Sequence, residues 1–180
     1  MITKEQIETP ALLIDLDNLD YNIRIMADYF KHRSPKLRPH FKTDKCLAIA
    51  HKQISAGAKG MTCAKLSEAE VLAAAGIKDI LIAYEIVDPD KIYRLAGLAH
   101  GDAKITVAVD NQYNIEVLSE AAEKIGSIIH VLVELNIGME RCGVNTADEV
   151  LFLTKKIINS KNLVFEGIQA YEGHLGHIPD

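Results

Sequence analysis

The chain has 180 residues, 48% of them hydrophobic and 25% charged, with a formal net charge of -5 and a pI of about 5.8. That length suits one domain with a core of normal size. The acidic balance argues against a nucleic-acid partner, which calls for a basic surface, and no apolar run approaches the roughly 20 residues of a membrane span. The polar start, Met1 to Pro10, carries no signal-peptide core. Cys46, Cys63 and Cys142 show neither metal spacing nor a paired framework, so the expectation is a reduced, cytoplasmic setting.

Ala11–Ile14 is apolar and reads as a first strand, followed by Leu19, Ile23, Met26 and Phe30 on one helical face, with Asp17 as a plausible cap. Leu37–Phe41 reads as a second strand, and Leu47, Ala50 and Ile54 as a helical stripe stopped by Gly57. Met61–Ala64 is a short strand. Ser67 to Glu70 then fits a capping box, in which the serine oxygen and the glutamate each satisfy an orphan N–H. Gly76 fits the end of that helix. Ile80–Ala83 is a strand, and Pro89 suits the first turn of a helix running toward Ala99. Ile105–Val109 is followed by a stripe of Ile115, Leu118, Ala122 and Ile125 ended by Gly126. Ile128–Leu135 is followed by Val150, Leu153 and Ile157. Leu163–Ala170 is a last strand, leading into the glycine-rich Tyr171–His177.

About seven strand–helix alternations with apolar strands predict a parallel sheet covered by helices on both faces. An open doubly wound sheet and a closed (β/α)8 barrel both satisfy that rhythm. No Gly-x-Gly-x-x-Gly follows the first strand, which favours the barrel. A full barrel needs about 250 residues. The chain stops in a Gly/His-rich segment with no closing helix, so the expectation is one incomplete barrel over residues 1–180 of a longer protein, with open edges that need cover.

Ligands of parallel β/α folds bind at the carboxyl ends of the strands, so the residues there carry the candidate chemistry. Lys42 follows the second strand in Arg38-Pro39-His40-Phe41-Lys42-Thr43. A partly buried lysine loses proton affinity and becomes a nucleophile able to form a Schiff base; a surface lysine is the plainer reading. Lys45 is expected in the first turn of the next helix, facing solvent. Arg141 lies between two glycines in Gly138-Met139-Glu140-Arg141-Cys142-Gly143. Its fixed fork suits a phenolate or a phosphate, and an ion pair with Glu134 or Glu140 suits it equally. Tyr171-Glu172-Gly173-His174-Leu175-Gly176-His177 offers a ring to stack and imidazoles to move protons or bind a metal, or is a solvated turn. Cys63 reads as core, Cys46 and Cys142 have no reason to be nucleophilic, and Asp15, Asp17 and Asp20 read as caps and solvated charges.

Thr9-Pro10-Ala11-Leu12-Leu13-Ile14-Asp15-Leu16-Asp17 and Arg38-Pro39-His40-Phe41-Lys42-Thr43 together resemble the start of the D-threonine aldolase and D-serine dehydratase family, within the alanine racemase-like (fold-type III) pyridoxal-phosphate (PLP) enzymes. Ala64 to Glu70, the Gly138–Gly143 loop and Tyr171 to His174 continue the likeness in order. The resemblance implies that Lys42 carries PLP and acts as a base at the substrate α-carbon. It implies that Arg141 bonds the cofactor's phenolic oxygen, that Tyr171 lies in the cofactor pocket, and that His177 helps deprotonate a substrate β-hydroxyl. The activity so implied is a lyase on D-amino acids, cleaving D-threonine-like substrates to glycine and an aldehyde. D-Serine dehydratase, an amino-acid racemase and a non-catalytic PLP-binding protein are the alternatives on the same scaffold. The likeness further implies a homodimer and a divalent metal whose ligands, like the cofactor's phosphate site, lie outside this chain. The isolated chain is accordingly expected to be inactive.

Overall fold

The structure, a computed structural model, describes residues 3–177, and the side chain of His177 lies outside the described residues. Five parallel strands form one sheet in chain order: β1 (Met61–Cys63), β2 (Asp79–Glu85), β3 (Lys104–Val109), β4 (Ile129–Leu135) and β5 (Leu163–Ala170). The helices are α1 (Leu16–Lys31), α2 (Leu47–Ser55), α3 (Leu66–Ala74), α4 (Pro89–Ala99), α5 (Gln112–Ile125) and α6 (Ala147–Ile158), with short 3-10 turns at Lys4–Gln6 and Gly173–His177. Each new strand adds beside the last, as the pairings Met61↔Ile80, Ile80↔Ile105, Thr106↔His130 and Ile129↔Leu163 record. A doubly wound sheet reverses direction at a switch point; this one does not, so it is the open arc of a β/α barrel. Among the described residues the arc is not closed, and no helix is long and apolar enough to cross a membrane.

The core is the sheet itself. Ile80, Ile82, Ile105, Val107, Val109, Ile129, Val131 and Val133 are completely buried, each stabilising by about 1.5–3 kcal/mol. Leu72, Leu95, Leu118 and Ile157 pack onto them from α3, α4, α5 and α6. The turns that return α2, α3 and α5 to the sheet use left-handed backbone at Gly57 (φ 104), Gly76 (φ 85) and Gly126 (φ 74). Pro89 occupies the first turn of α4 behind the Asp88 cap. A capping box not anticipated from the sequence, Thr146 with Glu149, starts α6.

Four local expectations are corrected. Ala11–Ile14 forms no strand: the segment has no ladder partner among the described residues, and Leu12, Leu13 and Ile14 stand exposed. Leu37–Phe41 is reduced to a bridge, His40↔Thr62, flanked by bonds from Thr62 N to Pro39 O and from Phe41 N to Thr62 O, each 2.7 Å. Pro39 has no N–H to continue a ladder. The cap of α1 is Asp15, which accepts from Asn18 N, and Asp17 lies in the first turn. Helix α3 starts two residues earlier than expected, with Lys65 at its N-cap position, so Ser67 is inside it. Its reaching acid is Glu68, which accepts from Ala64 N at 2.9 Å, while Glu70 holds Arg94 through two bonds of 2.6 and 3.0 Å.

Candidate active site

Residues 136–143 leave the carboxyl end of β4 as a loop closed at its own base. Asn136 N donates to Val144 O and Val144 N to Glu134 O, at 2.9 and 3.0 Å. Asn136 organises the interior. Its Oδ1 accepts from Gly138 N and Glu140 N, each at 3.1 Å, and its Nδ2 donates to Glu140 Oε1 and Asn145 Oδ1, each at 2.9 Å. Gly143 is obligatory here. At φ +96 a Cβ would fall 2.7 Å from Asn136 N, and its own N–H donates to Asp110 Oδ2 at 3.0 Å.

This loop presents Arg141 to two aromatic rings. The guanidinium carbon lies 5.1 Å from the centre of Tyr171, just past β5, and 5.9 Å from that of Tyr84, near the end of β2. Both distances are within cation–π range. The ion pair with Glu134 or Glu140 does not form: among the described residues no carboxylate is within 4.0 Å of Arg141. Asn136 occupies Glu140, and Gln169 donates to Glu134 across the β4–β5 ladder. Gly173 makes room for Tyr171, since a Cβ there would overlap its hydroxyl.

Beneath the loop three carboxylates converge: Glu85 from β2, Asp110 after β3 and Glu134 from β4. Burial pushes Glu134 up to about 7; Gln169 and Arg141 oppose the rise, and Glu85 and Asp110 add to it. Burial likewise raises Glu85, whose Oε1 has no hydrogen-bond partner among the described residues. The Cys142 thiol sits between Glu85 and Arg141, and burial pushes it above its ordinary value, which suits a neutral thiol rather than a nucleophile. Cys63 is pushed up to about 12 by burial and is core.

Lys42 shares this end of the sheet but stands beyond β1, on the opposite edge from Tyr171. The partial burial expected for it is absent: the residue is exposed. Its backbone N–H donates to His40 Nδ1 at 3.1 Å. Lys45 is not in a helix. It takes a left-handed conformation (φ 51) before α2, and its Nζ meets the buried Glu68 carboxylate at 3.0 Å. Thus the structure brings Arg141 and Tyr171 together, and sets Lys42 at the same end without contact to either. His177 ends the last 3-10 turn, and its side chain lies outside the described residues. His174 packs where a Cβ on Gly138 would approach its Nε2 to 3.0 Å, so it supports the Arg141 loop. Asp15 is a cap and Asp20 pairs with Lys52 at 2.7 Å. Among the described residues no group of three or more His, Cys, Asp or Glu side chains is placed to hold a metal ion.

Tyr84, Glu85, Asp110 and Gln169 were missed in the sequence. Their one signal was position: each ends or follows a predicted strand. They lacked a surrounding motif, and Tyr84 meets Arg141 only because β2 and β4 lie in one sheet.

Comparison with known proteins gives the same picture. A 3-hydroxy-D-aspartate aldolase of Paracoccus denitrificans (strain Pd 1222) is 43% identical over 176 residues, which is 97% of this chain and 46% of that protein. A D-threonine aldolase of Arthrobacter sp is 41% identical over 172 residues, 96% of this chain and 45% of that protein. The crystal structure of D-threonine aldolase from Filomicrobium marinum superposes with a TM-score of 0.94 at 44% identity, covering 97% of this chain and 47% of that one. The chain therefore spans about half the length of the relatives it matches. Residues 14–178 match the model of the alanine racemase N-terminal domain, and with that span of the sequence matched on an open arc of parallel β/α units, the chain belongs to the alanine racemase N-terminal domain family.

Proposed function

We propose that the chain is the cofactor-binding β/α part of a PLP-dependent lyase that cleaves β-hydroxy-D-amino acids, D-threonine or 3-hydroxy-D-aspartate, to glycine and an aldehyde. The observation that carries it is Arg141 set against Tyr171 and Tyr84 at the carboxyl end of the sheet. The names of relatives 41–44% identical supply the reaction class. A permanent cation beside two rings, with a primary amine at the same end, fits a group that presents an anionic ring oxygen and an aldehyde.

In this reading Lys42 is the covalent attachment point, and its amine moves a proton at the substrate α-carbon. Arg141 would hold the cofactor's phenolic oxygen and keep it charged, and Tyr171 would line the pocket beside it. His177 takes the proton of the substrate β-hydroxyl, which commits the molecule to breaking Cα–Cβ rather than expelling hydroxide. PLP, when bound, supplies the electron sink. Glu85, Asp110 and Glu134 hold the Arg141 loop from below. The proposal extends to a divalent metal held by residues outside this chain, a homodimer and a cytoplasmic setting.

The test is reduction with borohydride in the presence of PLP, peptide mapping, and assay of glycine release from both substrates in the longest natural protein that carries this sequence. Label on Lys42 with glycine release is expected. Label on another lysine overturns the site, and ammonia with a keto acid instead of glycine overturns the aldol reading.

A further inference from the structure

Lys42 is the residue on which the proposed function turns, yet among the described residues nothing but its own backbone turn holds it. Phe41 anchors the turn, 3% exposed and bonded through its N–H to Thr62 O. Lys45 N closes it on Phe41 O at 3.0 Å, and the Lys45 ammonium fastens its far side to Glu68. Between these anchors the one bond to Lys42 itself among the described residues is the donation of its N–H to His40 Nδ1. An N–H needs an acceptor, so Nδ1 carries no proton and a neutral His40 has its proton on Nε2.

We infer that neutral His40 is a positioning residue for Lys42, its unprotonated Nδ1 fixing the backbone from which the reactive amine projects. The inference rests on the reading of Lys42 as the cofactor lysine. The surroundings favour the neutral ring. Burial and then the Lys42 cation push the imidazole below its ordinary value; Glu68, facing it from α3, pulls the other way. Lys45 pairs with that carboxylate and blunts its pull. An imidazolium would lose the acceptor and place a second cation beside Lys42.

The side chains that test this differ by one bond. In His40→Asn the Oδ1 stands where Nδ1 stood and accepts the same N–H. In His40→Gln the oxygen is one bond further out, and in His40→Ala there is none. The readout is the rate at which the longest natural protein that carries this sequence captures PLP on Lys42 under cyanoborohydride, mapped by mass spectrometry. Circular dichroism first establishes that each variant is folded. The Gln and Ala variants are expected to lose about fivefold, the weight of one ordinary neutral hydrogen bond, and Asn to stay within about twofold of the unaltered chain. Nitrogen-15 spectra of the unaltered chain, which need no variant and no cofactor, are expected to show Nδ1 unprotonated and Nε2 protonated. Equal capture by Asn, Gln and Ala overturns the inference and leaves the cofactor reading intact. A protonated Nδ1 at neutral pH also overturns it. Absence of label on Lys42 in the longest natural protein that carries this sequence sinks the cofactor reading, and this positioning role with it.

Discussion

Glu134→Gln is the most informative single change, because glutamine copies the shape of a protonated glutamate and carries no charge at any pH. Glu134 is 3% exposed and pushed up to about 7 from the ordinary 4.5. A carboxyl raised on folding contributes stability that is fully present below the ordinary value and lost as pH rises through the folded value. At about 1.4 kcal/mol per pH unit, the interval bounds the loss at about 3 kcal/mol. Water at the loop and relaxation of Glu85 reduce it, leaving about 1–2 kcal/mol. In the variant the side-chain oxygen still accepts from Gln169, and the new amide has the Glu85 and Asp110 carboxylates within its surroundings. Thermal unfolding followed by circular dichroism is therefore expected to show Tm raised by about 2–8 °C near pH 8 and unchanged near pH 4.5. A gain of equal size at both pH values, or a loss near pH 8, would refute the account of the buried carboxylates.

Three other changes test the loop above them. Gly143→Ala forces a Cβ to within 2.7 Å of Asn136 N at a left-handed φ, and is expected to cost about 2–3 kcal/mol in urea unfolding. Asn136→Ala removes four bonds that hold the loop's interior, and should raise amide hydrogen exchange at Gly138 and Glu140 by about tenfold with little change in the sheet. Arg141→Lys keeps the charge but loses the planar fork between Tyr84 and Tyr171. Spectrophotometric titration is expected to give PLP binding about tenfold weaker, and unchanged binding would remove Arg141 from the cofactor site.

The fold was legible where the signal is local or repetitive. Stripes such as Ile115, Leu118 and Ala122 are read directly as the buried face of α5, and Gly126 marks its end, because helix period and left-handed caps are properties of neighbouring residues. Ala11–Ile14 was misread for the opposite reason: a strand is defined by its partner, and the apolar run says nothing about whether one is present. Ser67 and Glu70 matched a capping pattern, but Leu66 is needed in the core at 3% exposure, and its burial starts α3 two residues earlier. In the site, Lys42 and Arg141 were visible through their sequence neighbours. The partner of Arg141 was not, since nearby glutamates looked adequate and the rings that meet it come from β2 and from beyond β5.

The glycine turns have a consequence for how this scaffold can change. Gly57, Gly76 and Gly126 all lie where a helix hands over to the next strand, and a Cβ on any of them would meet nothing within 4 Å. They are required for their backbone angles alone. Every residue assigned to chemistry lies at the other end of the sheet, where Gly138, Gly143 and Gly173 are hemmed in by neighbours. One rim of the arc is therefore a set of interchangeable hinges that any sequence with the right dihedral preference could replace. The opposite rim is where a new substrate would have to be written, and a mutant library confined to that rim but sparing Gly143 and Asn136 would vary specificity while leaving the helix-to-strand turns untouched.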